Sequence, residues 1–106
     1  MIEVRKTDNF DAWMHGLRDD RARHRIMVRI DRLAAGNPGD AEPVGEGVSE
    51  LRIDYGPGYR VYFVRRRNVL IVLLCGGDKR TQEADIKEAK RLAKLRDPEP
   101  PEEEIP

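Results

Sequence analysis

The spacing of apolar residues changes period several times along the chain, and each change predicts an element. Residues 2–5 (IEVR) alternate apolar and charged side chains, the period-two pattern of a short half-buried strand. Thr7 or Asp8 can then cap the orphan amides of a helix in which Phe10, Trp13, Met14 and Leu17 fall at i, i+3, i+4 and i+7. A second helical stripe follows, with Ala22, Ile26, Ile30, Leu33 and Ala34 on one face and Arg21, Arg25, Arg29 and Arg32 repeating on another. Gly36 and Pro38 supply its stop, and the short connection predicts an antiparallel helix hairpin.

Residues 37–47 (NPGDAEPVGEG) are rich in Gly, Pro and acids and read as a surface loop. Leu51, Ile53 and Tyr55 then alternate with Glu50, Arg52 and Asp54, so residues 49–55 predict a strand with one buried and one wet face. Gly56, Pro57 and Gly58 make a turn into a second strand at residues 59–66, and Arg67 with Asn68 closes a tight hairpin into residues 69–75 (VLIVLLC). That run is apolar on both faces and is expected at the centre of the sheet, ending at Gly76 and Gly77. Thr81 is the expected cap of a last helix, with Ile86, Ala89, Leu92 and Ala93 inward and an end near Arg96, before Pro98. The predicted order is βααβββα, an α+β fold. Its mostly antiparallel sheet packs against an N-terminal helix hairpin and a C-terminal helix.

Composition adds a class and a charge asymmetry. At 106 residues, with 39% hydrophobic and 38% charged positions, the chain suits one small globular domain with a single core. Its longest apolar run, seven residues at 69–75, is far below the roughly 20 that cross a bilayer. The N-terminus lacks an apolar signal region, and Cys75 is the only cysteine, so the expectation is a cytoplasmic protein without internal disulfides. The formal net charge is zero, but residues 97–106 (DPEPPEEEIP) hold five of the 20 acids and none of the 20 lysines and arginines. The remaining 15 acids leave residues 1–96 at +5, a basic domain followed by an acidic tail that reads as disordered and solubilising. A sharper reading is that the tail competes, within the chain, for the basic surface and so weakens nonspecific binding of polyanions.

Absent motifs narrow the chemistry. The sequence has no CxxC, HExxH, GxSxG or Gly-rich phosphate loop. His15 and His24 lack Cys or a second His at ligand spacing, which argues against zinc and for surface histidines. The expected mechanism uses neither metal nor cofactor. Strand geometry can instead gather Arg52, Arg60, Lys79 and Arg80, because neighbouring strands lie about 4.8 Å apart and arginine's planar fork suits a phosphate. The same residues also suit a solvated sheet face with ion pairs to Asp54 and Asp78. Arg65, Arg66 and Arg67, at the far end of their strand, would add nonspecific attraction to a nucleic-acid backbone.

The segment SELRIDYGPGYRVYFVRRRNVLIVLLCGGDKRTQEADIKEAKRLA resembles the RelE/ParE toxin superfamily, and in detail its HigB-like addiction-module killer branch. The resemblance rests on GxYRVYF, a hydrophobic strand, GGDK, then TQ and DI in a helix, and extends over residues 1 to about 95. It implies a RelE-like toxin domain at 1–96 and the toxin of a type II toxin–antitoxin pair. Such a protein is a metal-independent, ribosome-dependent endoribonuclease that inhibits translation. Its partners are messenger RNA, the ribosome and an antitoxin that lays an acidic or amphipathic segment over the basic groove.

The implied reaction is attack of the 2′-hydroxyl on the adjacent phosphate, leaving a 2′,3′-cyclic phosphate and a 5′-hydroxyl. By the resemblance Arg60 is the phosphate-binding arginine, Arg52 the basic strand residue, and Lys79 and Arg80 the basic pair after the last strand. Glu50 stands where the RelE pattern has a second lysine, and Ile86 near its C-terminal tyrosine. The general base is therefore unassigned among His15, His24, Lys79 and a carboxylate such as Asp78, which could equally orient Arg60 or Lys79. The superfamily leaves two other functions open: a ParE-like gyrase poison, and a catalytically degenerate module that binds RNA or antitoxin.

Overall fold

The computed structural model describes residues 2–100. The elements are β1 (Glu3–Lys6), α1 (Asp8–Gly16), α2 (Asp20–Ala34), β2 (Ala41–Gly45), β3 (Val48–Ile53), β4 (Tyr59–Arg66), β5 (Leu70–Asp78) and, after a 3-10 turn at Lys79–Thr81, α3 (Gln82–Ala93). Five strands form one mixed sheet in the order β1-β5-β4-β3-β2, with β1 parallel to β5 and the other neighbours antiparallel. The α+β architecture is the expected one, with one strand more than the pattern of residues predicts.

The helices divide between the two faces of this sheet. α1 lies on β5 and α2 on β3, burying Phe10, Ile26, Ile30 and Leu33 against Leu51, Ile53, Val61, Phe63, Ile71 and Leu73. α3 covers the opposite face, where Ala89 and Leu92 meet Val48, Val64, Leu70, Val72 and Leu74. This double cover explains the unbroken apolar run in β5, since a strand between two helical layers has no wet side. Between Tyr62 and Phe63 the β4–β5 register slips, so that Leu74 is an extra residue and both Leu74 and Cys75 turn toward α3.

Three local expectations are corrected. Residues 41–45, read as loop, form β2, an outer strand that pairs Ala41, Glu42 and Pro43 with Leu51, Glu50 and Ser49. Its composition hides it: Pro43 is tolerated because β2 is an edge strand. The reversal is made at Glu46 and Gly47, whose φ values of 54° and 81° suit a tight hairpin. β5 does not stop at Gly76 and Gly77 but continues to Asp78, with Arg60 opposite Gly77 and Tyr59 opposite Asp78. Thr81 holds the N-cap position of α3 as expected, but its hydroxyl makes no capping bond and donates to Asp85; the side-chain cap is one turn earlier, where the Asp78 carboxylate accepts from the Arg80 amide at 2.8 Å and caps the 3-10 turn. The Arg67–Asn68 hairpin forms as expected, with both residues at positive φ.

Gly76 and Gly77 are needed for close approach. A Cβ on Gly76 would run into the Trp13 ring, and one on Gly77 into the Asp85 carboxylate. By contrast Gly16, the last residue of α1, faces open space. Gly76→Ala is expected to lower stability by about 1–3 kcal/mol through overpacking, whereas Gly16→Ala should raise it slightly by restricting the unfolded chain. Opposite shifts of the urea midpoint at unchanged m-value would check both.

Candidate functional site

β3 and β4 pair in a register that sets Glu50 opposite Tyr62 and Arg52 opposite Arg60. Residues two apart on a strand share a face, so these four side chains point to the α3 side, near the N-terminal end of that helix. The Glu50 side chain is 1% exposed and the Arg60 side chain 9%, while Arg52, at 37%, reaches the surface. Glu50 Oε1 accepts from Arg52 Nε at 3.0 Å, and Oε2 accepts from the Tyr62 hydroxyl at 3.1 Å and from Gln82 Nε2 at 2.8 Å. Arg60 Nε lies 3.6 Å from Glu50 Oε1, and its Nη1 donates to the Gly58 and Tyr59 carbonyls, each at 3.2 Å.

The electrostatics follow from this crowding. Burial pushes the Glu50 carboxyl up, but the hydrogen bonds from Gln82, Arg52 and Tyr62 and the charge of Arg60 outweigh it and hold it below its ordinary value. Glu50 therefore stays ionised at neutral pH and has no proton to give. Burial, reinforced by the neighbouring Glu50 charge, pushes the Tyr62 phenol far up, so it remains a donor. The cluster positions two guanidiniums rather than moving protons. Arg60 Nε is buried without a hydrogen-bond partner among the described residues. Nη2 likewise makes no hydrogen bond among them, while Nε faces the Glu50 carboxylate. Asp40 and Glu42, at 3.8 and 4.0 Å from Arg52 Nη1, partly screen the outer arginine.

The remaining expected site residues separate. Lys79 packs its stem over Gly58, where the backbone at φ 79° has no side chain, and enters no ion pair among the described residues. It thus lies at the turn end of the β3–β4 hairpin, the end that carries Arg52 and Arg60. Asp78 pairs with Arg80 at 3.0 Å, and the Arg80 side chain is 80% exposed. That hydrogen bond, against a smaller effect of burial, holds the Asp78 carboxyl below its usual range. Arg66 donates to the Ala93 carbonyl at 2.8 Å and to Asp97 at 3.2 Å, tying β4 to the end of α3, while Arg65 and Arg67 are exposed. His15 and His24 belong to helices on the other face of the sheet, and His15 Nδ1 lies 2.7 Å from the Asp11 carbonyl. Cys75 is buried, and burial with the charges of Asp85 and Glu88 pushes its thiol up to about 12.

Among the described residues, no three His, Cys, Asp or Glu side chains gather to hold a metal, and no helix is long and apolar enough to cross a membrane. Of the acidic tail, Asp97 makes the Arg66 contact and the Pro98 carbonyl accepts from Arg5 at 3.1 Å, whereas residues 101–106 lie outside the described part. Residue spacing did not single out Glu50, Tyr62 and Gln82 as one cluster. The available signal was an acid on the same face of its strand as Arg52, opposite a tyrosine once the Gly56–Gly58 turn sets the register.

The family model described as phage-derived protein Gp49-like matches residues 12–96, a span that includes the whole Glu50 cluster and Lys79. An uncharacterized protein of Haemophilus influenzae is 52% identical over 92 residues, which cover 87% of this chain and 93% of that protein.

Removing one member of a buried ion pair leaves the other charge uncompensated, so Glu50→Ala should destabilise the fold by about 3–5 kcal/mol. The pH dependence has a definite sign. The folded Glu50 carboxyl titrates below its unfolded value of about 4.3, so its contribution is complete above that pH and is lost as pH falls through the folded value. Urea denaturation between pH 7 and pH 3 should show an acid loss of stability in the wild type that is smaller in Glu50→Gln.

Proposed function

The chain belongs to the Gp49-like family of phage-derived proteins, a RelE-like family of toxin–antitoxin systems, and on that premise we propose that it is a HigB-like toxin that cleaves messenger RNA at the ribosome. The observation that carries this reading is the guanidinium pair. Arg52 and Arg60 are cross-strand partners locked by one buried carboxylate, with Lys79 beside them. Groups held in place before the reaction need no reorganisation when charge develops, which is the condition for electrostatic stabilisation of a transition state.

In the proposed reaction the 2′-oxygen bonds to phosphorus, the bond to the 5′-oxygen breaks, and the products are a 2′,3′-cyclic phosphate and a 5′-hydroxyl. Arg60 Nη2, which has no hydrogen-bond partner among the described residues, binds a nonbridging phosphate oxygen, Arg52 and Lys79 add positive charge, and Arg80 meets the RNA farther out. Glu50 and Tyr62 act through Arg52 and Arg60 by fixing their geometry. The proton acceptor is not among the buried groups, because Glu50 is held ionised by donors to both oxygens and Tyr62 is held protonated. An antitoxin segment bearing carboxylates would neutralise the protein by taking the place of the phosphate.

Glu50 also favours a second reading, a module that binds RNA or antitoxin without turnover, since one full negative charge already offsets the arginine pair. A translating extract separates these readings. The wild type should produce messenger RNA fragments with 5′-hydroxyl ends, and Arg60→Ala should reduce their rate of formation by about 10²-fold or more. Intact messages with retained RNA binding would support the module, and intact messages with trapped gyrase–DNA complexes would assign the protein to gyrase poisons.

A further inference from the structure

The site above occupies the α3 side of the sheet, yet the longest arginine-rich stretch lies on the other side. From Arg18 to Arg32 the chain carries six arginines and no lysine, whereas α3 and its flank mix Lys87, Lys90 and Lys94 with Arg91 and Arg96. Two of the six have structural partners. Arg29 donates to the Pro38 and Asp40 carbonyls, each at 3.1 Å, and to that of Arg52. Arg23 donates to the Leu17 carbonyl at 2.7 Å and pairs with Asp20. Arg18, Arg21, Arg25 and Arg32 are exposed and enter no ion pair among the described residues.

At 100° per residue, Arg21, Arg25 and Arg32 fall within an arc of about 40° and span about 16 Å of α2. Arg25 is oriented as well as exposed, its guanidinium lying 4.7 Å from the centroid of the Tyr55 ring. The Tyr55 hydroxyl in turn donates at 3.0 Å to Asp19, the residue that caps α2. His24 and Arg29 flank the stripe. Of the carboxylates nearby, Asp19 and Asp20 are engaged, and Asp54 shares a cleft with Arg25, Arg29 and Arg32. Tyr55 leads directly into the Gly56–Gly58 turn over which Lys79 packs, so basic groups continue from the Arg60 site around the hairpin end to α2.

We propose that the Arg21–Arg25–Arg32 stripe is a docking track for the RNA backbone, separate from the Arg60 site and on the opposite side of the sheet. A stacked strand rises about 3.4 Å per nucleotide, so a track of this length faces roughly five phosphates. Guanidinium forks suit phosphate oxygens better than ammonium groups do, and the Tyr55 ring beneath Arg25 limits where its guanidinium can point. A membrane surface fits less well, because Met27, the one large exposed hydrophobic residue of α2, points away from the stripe. The inference goes beyond the cleavage reading and does not depend on it.

Fluorescence anisotropy with a labelled, 2′-O-methylated oligouridine of 20 nucleotides tests binding alone, since that probe lacks the attacking hydroxyl. The triple variant Arg21→Gln, Arg25→Gln, Arg32→Gln should bind at least tenfold more weakly at 50 mM salt. Three lost phosphate contacts should also reduce the log–log salt slope by about 2. Its thermal unfolding midpoint should stay within about 3 °C of wild type, as expected for exposed side chains. Wild-type affinity and slope in the folded triple variant would overturn the proposal. Equal displacement of the probe by polyglutamate or by phosphatidylglycerol vesicles at matched charge would overturn the assignment to RNA. Loss of binding in the triple variant, together with messages left intact by the wild-type protein in the translating extract, would support the track and refute the cleavage reading.

Discussion

A carboxylate removed from water must be met by donors on nearly every lone pair, and Glu50 imposes that requirement on three elements at once. Arg52 comes from its own strand, Tyr62 and Arg60 from β4, and Gln82 from the start of α3. The β3–β4 register, the docking of α3 and the orientation of both guanidiniums therefore depend on one another. A slip of one residue along β4 would take Tyr62 and Arg60 to the wrong face and leave the charge buried without partners.

The rest of the sheet makes that burial possible. β5 is covered on both sides, and its Gly76 and Gly77 let Trp13 and Asp85 approach the backbone from opposite faces. Asp78 then ends the strand and caps the turn that brings Gln82 over Glu50. At the other end of α3, Arg66 holds the Ala93 carbonyl and Asp97. The helix is thus pinned by polar contacts at both ends and by Ala89 and Leu92 between them. A site built this way is rigid, which suits recognition of a fixed anion geometry better than adaptive binding.

The division of charge between the two faces bears on function. At the Glu50 cluster Arg52 and Arg60 are tied to one buried carboxylate. On α2 Arg21, Arg25 and Arg32 are exposed and without ion pairs among the described residues, with Arg25 over the Tyr55 ring. The hairpin end at Gly56–Gly58 joins the two regions, which suits a long polyanion better than a small anionic ligand. Within a RelE-like family, that arrangement is compatible with a protein that grips RNA in one place and acts on it in another.

Much of the fold was legible in the order of residues. The helical stripes of α1 and α2, the alternation in β3, the two-sided apolar run of β5 and the Arg67–Asn68 turn are local patterns whose period reports directly which face is buried. They determined the α+β class and the candidacy of Arg52 and Arg60. β2 was not legible, because an edge strand with Pro43 and few β-formers exists only through its pairing with β3. Nor was the role of Glu50. In the sequence it is one more charged residue on a wet strand face. Only when the β3–β4 register brings up Tyr62 and Arg60 and α3 folds across that face with Gln82 does it become buried and hold two arginines as an oriented pair, because burial is a property of what packs against a side chain and not of the residues beside it.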